Sequence, residues 1–240
     1  MPGENQRKCG KVFAAAQRQS NTRLKMKIVQ GRVRRRLVLL AICFVFVAVP
    51  TVQAQVRSSD FEVTDGKIQG AKGHRLMVST KEMRATLKFT TEQSATVKFT
   101  YLGPTKEVAH LGSGEVRSQF GIKLRAQNDC NVVYIMWHFA PDQKIAVSIK
   151  RNPGQRSHTE CHDRGYINNI KPRISDAPAP VEPNQPHFLT ASMSGSDLTV
   201  TADNKLVWWG DLGPVALSFS GPVGLRSDNA RLLFDFLVNR

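Results

Sequence analysis

Two stretches of this sequence bring together side chains that suit the binding of a polyol. Trp137 and His138 are adjacent in one apolar run, and Arg226 and Asp228 follow a glycine-rich stretch, GPVG. Planar aromatic rings pack against the apolar face of such a ligand, and His, Arg, Asp and Asn side chains bond its hydroxyl groups. The predicted ligand-binding residues are Trp137, His138, Arg226, Asp228, Trp209, Arg125 and Asn128.

Carboxylates at a catalytic spacing are scarce. A retaining glycosidase needs two carboxyl groups about 5 Å apart, and residues i and i+2 of a strand share one face. Within residues 55–240, which we expect to form the folded chain, only Asp60-Phe-Glu62 has this spacing, with Asp65 three residues further on. These residues lie near the expected start of that chain, where residues are often frayed or on an edge strand. We interpret them as surface carboxylates, and a site assembled from distant strands stays open.

The elements that would position these residues are predicted to be strands. Short runs with apolar residues at every second position alternate with turns such as Gly-Pro, Asn-Pro-Gly and Ser-Gly, and no window has a helical apolar period. This pattern predicts an all-β sandwich or barrel. The predicted strands are 86–90, 96–101, 119–126, 132–139, 145–150, 187–193, 198–202, 205–209, 215–219 and 232–238.

Strand alternation also orients the aromatic candidates. It puts Trp137 and His138 on opposite faces, so they cannot both be core residues. It separates Trp208 from Trp209 and puts Leu206 on the face of Trp208. Asp203-Asn204 predicts a hairpin turn. The similar stretches ATLKFT at 85–90 and ATVKFT at 95–100 predict two neighbouring strands of similar register.

A proline-rich stretch bears on the domain organisation. Residues 172–186 contain five prolines, and such a stretch predicts no paired strand. It is either a linker between two domains or a long loop within one. The 54 residues that follow it are too few for an independent sandwich. We therefore favour a single domain over residues 55–240 with a long loop at 172–186.

The first 54 residues have the pattern of a secretory signal peptide. Residues 37–49 are continuously apolar, with RRR before them and VQA at 52–54 after them. Thirteen apolar residues are fewer than the ~20 that cross a bilayer, which favours a cleaved signal over an uncleaved anchor. Met26 would begin a signal of ordinary length. We expect a secreted or periplasmic chain that starts near Gln55 and meets the membrane only through its signal.

Charge and cysteine usage agree with export. Residues 1–54 hold eleven of the 34 Lys and Arg and one of the 19 Asp and Glu, so residues 55–240 carry only about +5. Without a basic run or recognition motif, we expect no nucleic-acid partner. After Cys9 and Cys43 are removed, Cys130 and Cys161 remain and are predicted to form a disulfide. Zinc held by these cysteines with His158 and His162 is the alternative.

A series of short motifs runs through residues 84–238. They are RSQFG at 117–121, IKLR at 122–125, VVYIMWHF at 132–139, HFLTA at 187–191, LTV at 198–200, ADN at 202–204, LVWWG at 206–210 and GPVGLRSDN at 221–229. Together these motifs resemble those of the concanavalin A-like lectin and glucanase superfamily, and within it those of the laminin G-like and 3-keto-disaccharide hydrolase-type bacterial domains.

The resemblance implies a jelly-roll sandwich of two antiparallel sheets and an exported module that binds carbohydrate or mediates adhesion without catalysis. Its partner would be a glycan or a cell-surface polysaccharide. A hydrolase of the 3-keto-disaccharide type is the alternative, but the glucanase branch carries its acidic residues on a central strand, whereas Asp60-Phe-Glu62 lies outside the matching region. No cofactor is expected beyond a structural calcium ion, for which Asp235 resembles a ligand position; a solvent-facing carboxylate is the other interpretation.

Overall fold

A computed structural model describes residues 53–239, which fold almost entirely as β-strands. Two short α-helices, α1 (His158–Cys161) and α2 (Gly213–Leu217), and two 3-10 turns, Ser58–Asp60 and Lys72–His74, complete the regular structure. The strands are β1 (Gln53–Gln55), β2 (Phe61–Asp65), β3 (Gln69–Gly70), β4 (Leu76–Val78), β5 (Glu82–Leu87), β6 (Ser94–Pro104), β7 (Ser118–Asn128), β8 (Asn131–Ala140), β9 (Lys144–Arg151), β10 (Tyr166–Ile167), β11 (Ile174–Ser175), β12 (Pro186–Ser194), β13 (Asp197–Ala202), β14 (Lys205–Asp211), β15 (Gly224–Asp228) and β16 (Ala230–Asn239).

The strands form two antiparallel sheets that make a sandwich. The nine-stranded sheet has the order β11-β14-β13-β12-β6-β16-β4-β3, and β1 also pairs with β16. The seven-stranded sheet has the order β10-β9-β8-β7-β15-β5-β2. The predicted all-β sandwich of two antiparallel sheets is therefore confirmed.

The core lies between the sheets and follows the alternation of the strands. On β8, Val133, Ile135 and Trp137 are fully buried. Phe99 of the nine-stranded sheet packs edge-on against Trp137 and Phe120 of the other sheet, with ring centroids 5.6 and 5.5 Å apart. Burying one such side chain contributes about 1.5–3 kcal/mol, so this aromatic cluster holds the two sheets together.

Two of the strand predictions are wrong. Residues 213–217 form α2, where a strand was expected over 215–219, because Gly213 has a positive φ of 71° and Pro214 favours the first turn of a helix. The similar stretches at 85–90 and 95–100 are not neighbouring strands. β5 belongs to the seven-stranded sheet and β6 to the nine-stranded sheet, so the chain crosses between sheets after Leu87.

The hairpin between β13 and β14 is confirmed. Asp203 and Asn204 have φ values of 48° and 64°, the left-handed conformation that a tight two-residue turn requires. The ladder shifts by one residue at Val200, so alternation fails on β14. Trp208 is buried and Leu206 is exposed, and the prediction that these two residues share a face is wrong.

The proline-rich stretch is more ordered than its composition predicts. Ile174–Ser175 form β11, which pairs with β14 at the edge of the nine-stranded sheet, and Pro186 opens β12. The expectation of no paired strand is therefore wrong for these residues. β11 itself contains no proline, and Pro186 is the first residue of β12, a position at which a strand tolerates proline. Between the two strands, Val181 is buried in the core.

Cys130 and Cys161 form a disulfide with their Cα atoms 5.8 Å apart, which confirms the predicted pairing. Because both sulfur atoms are used, the zinc alternative is wrong. Cys9, Cys43, Met26 and the apolar run at 37–49 lie outside the described residues. Among residues 53–239, no helix is long and apolar enough to cross a membrane.

Candidate functional site

The outer face of the seven-stranded sheet carries side chains that are buried although they point away from the core. On β8 these are Tyr134, Met136 and His138, each at most 5% exposed. Two loop regions cover this face, one around 111–117 and the other over 163–175. A sheet face enclosed in this way offers a ligand a partly dry environment with fixed polar groups.

Pairing between strands arranges these side chains in rows. Asp228 of β15 is the cross-strand partner of Gln119 of β7. Gln119 is the partner of His138 of β8, and His138 is the partner of Lys144 of β9. Adjacent strands lie about 4.8 Å apart, so this row of four residues extends about 15 Å across the sheet.

A groove of about 700 Å³ runs over this row and round the edge of β9. On the sheet side it is polar, lined by Gln119, His138 and Lys144. On the other side it is largely apolar, because the edge of β9 opens towards the gap between the sheets. The apolar lining consists of Ile145, Val147, Ile170, Pro172 and Trp208.

Arg226 is fixed at one side of the groove. Its Nε donates to Asp228 Oδ2 at 2.9 Å, its guanidinium lies 5.2 Å from the centre of the Tyr134 ring, and a terminal nitrogen donates to the Tyr166 hydroxyl at 3.4 Å. Burial works to raise the pKa of Asp228, but the charges of Arg226 and Arg84 outweigh it and hold that pKa below its usual range. Arg226 and Asp228 therefore form a structural ion pair.

Gly121 of β7 leaves space for the backbone and the Met136 side chain of the neighbouring strand β8. It lies between Arg226 and Met136 in the neighbouring cross-strand row. A Cβ at this position would be 2.7 Å from Met136 Sδ and closer still to the Ile135 carbonyl oxygen. Glycine is therefore required here for the Met136 side chain to lie flat on the sheet.

His138 is neutral at physiological pH. Burial, together with the positive charges of Arg117 and Lys144, lowers the pKa of His138 to about 4. A neutral imidazole offers one N–H donor and one acceptor. Arg117 itself is held by Glu115, whose pKa is lowered mainly by the hydrogen bonds from that guanidinium, one of which is 2.7 Å long.

Gln119 has one polar atom free for a ligand. Its Nε2 donates to Asp228 Oδ2 at 2.6 Å. Its Oε1 is buried and has no hydrogen-bond partner among residues 53–239. Leaving a buried acceptor unpaired costs about 1–3 kcal/mol, so an incoming hydroxyl group that donates to Oε1 would recover this energy.

The structure brings together only some of the predicted ligand residues. His138, Arg226 and Asp228 share the outer face of the seven-stranded sheet. Trp137 does not, because its side chain is fully buried in the core; its assignment to the ligand patch is corrected on this ground. Trp209 lies on the nine-stranded sheet, where the Arg173 guanidinium stacks over its ring at 5.0 Å.

Two further candidates lie at the far end of β7. The backbone N–H of Arg125 donates to Gln93 Oε1 at 2.6 Å, and its Nε donates to the Phe219 carbonyl oxygen at 2.8 Å. Asn128 Oδ1 accepts the backbone N–H of Cys130 at 2.9 Å. The Arg125 side chain therefore ties β7 to the chain after α2, Asn128 fixes the turn between β7 and β8, and neither residue lines the groove.

Asp235, the calcium candidate, lies on β16 of the nine-stranded sheet. Its carboxylate accepts from Gln55 Nε2 at 3.1 Å and lies 3.7 Å from Arg75 Nε. Among residues 53–239, no group of three or more His, Cys, Asp or Glu side chains is placed to hold a metal ion.

The predicted surface carboxylates also have structural contacts. Asp60 accepts the backbone N–H of Arg57 at 2.9 Å. Asp65 pairs with Arg84 on the neighbouring strand, while Glu62 is exposed. All three lie on or next to β2, which is the edge strand of the seven-stranded sheet.

Sequence reasoning missed Tyr134, Gln119, Arg117, Lys144 and Tyr166. For Tyr134 and Gln119 the sequence did hold usable information. The alternation that orients His138 puts Tyr134 on the same face of the sheet, and Gln119 lies on the predicted strand that precedes the strand of His138. For Tyr166 and the covering loops no sequence pattern was informative, since their position depends on contacts between residues far apart in the chain.

Solved structures with similar folds include sugar-binding proteins. The carbohydrate-binding module CBM66 from Bacillus subtilis superposes with a TM-score of 0.50 and 13% identity over 73% of this chain and 91% of that module. The GH43 protein BlXynB from Bacillus licheniformis superposes with a TM-score of 0.46 and 15% identity over 75% of this chain and 37% of that protein. CG-16, a homodimeric agglutinin from chicken liver, superposes with a TM-score of 0.41 and 7% identity over 65% of this chain and 98% of the agglutinin.

The similarity to the Bacillus subtilis module agrees with the two-sheet sandwich and, at 13% identity, concerns the fold alone. The sequence matches no protein-family model and no curated protein.

Proposed function

We propose that this protein is an exported carbohydrate-binding β-sandwich that holds a saccharide, without catalysis, in the groove of the seven-stranded sheet. The observation that carries the proposal is the composition of that groove. A polar row with an unpaired acceptor faces an apolar wall across a space of about 700 Å³, which lies within the usual size range of ligand sites.

A sugar ring matches both sides of this groove. Its C–H face can lie against Ile145, Ile170 and Pro172, while its hydroxyl groups exchange hydrogen bonds with His138 and Gln119. Fold analogy supports the same ligand class, because the similar Bacillus subtilis structure is itself a carbohydrate-binding module.

The test blocks the groove without removing a core contact. Ala146 lines the groove and is half-buried on β9, so Ala146→Trp would fill the space that a sugar needs. Ser192→Trp is the matched control, since Ser192 is exposed on β12 of the other sheet. A glycan array followed by calorimetry on the binding saccharides should show binding by the wild type and Ser192→Trp.

Ala146→Trp should lose at least tenfold in affinity, about 1.4 kcal/mol, while its melting temperature stays within a few degrees of that of the control. Equal loss in both tryptophan variants would place the ligand elsewhere. Release of a shortened saccharide from any bound glycan would contradict the absence of catalysis and favour a hydrolase.

A further inference from the structure

The charge at one end of the groove indicates which saccharides it accepts. Lys144 is exposed and lines the groove beside His138. Its ammonium group makes no hydrogen bond or ion pair with any residue between 53 and 239. Arg117 also lines this end, on the loop that leads into β7. Two cationic side chains therefore flank one neutral imidazole.

The carboxylates nearby are already engaged or lie elsewhere. Glu115 is bound to Arg117, and Asp228 is bound to Arg226 and Gln119. Asp163, the remaining carboxylate among the described lining residues, lies against the covering loop at Gly112 and forms no ion pair with Lys144. Among the described residues that line the groove, Lys144 and Asp163 thus carry the charges without a salt bridge, and Lys144 is the one that stands in the cross-strand row beside His138.

The side chains next to Lys144 indicate which other chemical groups the ligand needs in addition to its negative charge. Gln119, His138 and Lys144 stand on three adjacent strands, so the distance from the first to the last is about 10 Å. Gln119 Oε1 needs a donor, the neutral His138 can donate or accept, and Lys144 needs an anion. Hydroxyl groups next to an anionic oxygen group would satisfy all three.

We infer that the groove selects an acidic sugar, one whose carboxylate or sulfate group binds Lys144 while its hydroxyl groups bind His138 and Gln119. This inference rests on the proposed function, since it specifies the saccharide in the same groove. A charge-assisted hydrogen bond is roughly twice as strong as a neutral one, so an anionic group at Lys144 should raise affinity over a neutral one.

The experiment compares matched ligands and matched variants. Calorimetry uses uronic-acid oligosaccharides, the same compounds after reduction of the carboxyl group to an alcohol, and sulfated and unsulfated galactan oligosaccharides. Lys144→Gln removes the proposed contact. Lys98→Gln is the control, because it removes one positive charge from the nine-stranded sheet, where Lys98 lies over the Phe188 ring.

The wild type and Lys98→Gln should bind at least one acidic oligosaccharide about tenfold more tightly than its neutral counterpart, and Lys144→Gln should lose that preference. Whether the uronic or the sulfated pair shows the effect identifies the anionic group. Equal affinity of the wild type for acidic and neutral forms would overturn this inference and leave the proposed function standing. Failure to bind any saccharide would overturn both.

Discussion

At the scale of single residues, two buried lysines on the seven-stranded sheet have opposite environments. Lys150 donates to the His162 carbonyl oxygen at 2.6 Å and lies 5.3 Å from the centre of the Tyr166 ring. Lys123 is fully buried, has no hydrogen-bond partner among residues 53–239, and lies 4.0 Å from the Asp129 carboxylate. Burial lowers the pKa of Lys123 to about 8. Burial also lowers the pKa of Lys150, but its ammonium group has a hydrogen-bond acceptor, whereas the buried ammonium group of Lys123 has none in the described part of the chain and its charge destabilises the fold.

Replacing Lys123 by methionine should stabilise the protein. Lys123→Met keeps the volume and removes a buried charge that the Asp129 carboxylate at 4.0 Å compensates only in part, so we expect the free energy of unfolding at pH 7 to rise by about 1–3 kcal/mol. In the unfolded chain a lysine loses its proton near pH 10.4, above its folded value of about 8. The unfolded state then binds more protons between these values, so wild-type stability rises with pH there.

Urea unfolding from pH 7 to 10 measures this effect, and the advantage of Lys123→Met should shrink over that range. The matched control, Lys150→Met, should be destabilised by about 1–3 kcal/mol because it leaves the His162 carbonyl without its donor. If Lys123→Met were less stable than the wild type, the Lys123 ammonium group would have to make a net stabilising interaction in the folded protein.

At the scale of elements, the disulfide fixes one wall of the groove. It joins Cys130, at the turn between β7 and β8, to Cys161 at the end of α1. The chain that follows carries Asp163 and Tyr166, and it is also held by hydrogen bonds, such as that from Arg151 N–H to the Gly165 carbonyl oxygen at 2.9 Å, and by the pairing of β10 with β9. The covalent link therefore sets the position of side chains that line the ligand space.

Removing the disulfide should loosen this wall and weaken the whole fold. For a sequence separation of 31, the chain-entropy model gives a loss of about 3–4 kcal/mol for the double change Cys130→Ser, Cys161→Ser. Hydrogen exchange should rise most over residues 157–170. If hydrogen exchange over residues 157–170 stayed unchanged while the free energy of unfolding fell by the same amount, this wall of the groove would be held by its hydrogen bonds alone.

At the scale of the whole molecule, the sandwich follows the predicted signal peptide directly in the sequence. The expected cleavage point after Ala54 lies within β1 (Gln53–Gln55). Pairing with β16 continues beyond it, because the buried Val56 donates its N–H to the Phe236 carbonyl oxygen at 3.0 Å. A chain that starts at Gln55 would thus keep its first residues attached to the nine-stranded sheet.

We predict that the exported protein begins at or near Gln55. N-terminal sequencing of protein from the culture medium or periplasm measures this directly, and intact mass before and after reduction should show no free thiol in that form. Protein recovered from the membrane fraction with its original start would contradict both cleavage and export.

The fold class, most strands and the disulfide could be predicted from the amino-acid sequence alone. These follow from local rules: side chains alternate along a strand, Asp203-Asn204 adopts positive φ, and two cysteines in an oxidising compartment pair. The same alternation separated Trp137 from His138 correctly. It failed on β14, because the register shift at Val200 depends on the partner strand.

Which outward-facing residues form a site depends instead on packing between distant parts of the chain. The stretches at 85–90 and 95–100 are alike in sequence yet contribute to different sheets, since strand partners are chosen by contacts across the whole chain. Likewise, nothing local makes Lys144 the neighbour of His138 or covers their face with loops. Burial of the groove, and with it the lowered pKa of His138, arises from residues distant in sequence whose packing no short pattern encodes.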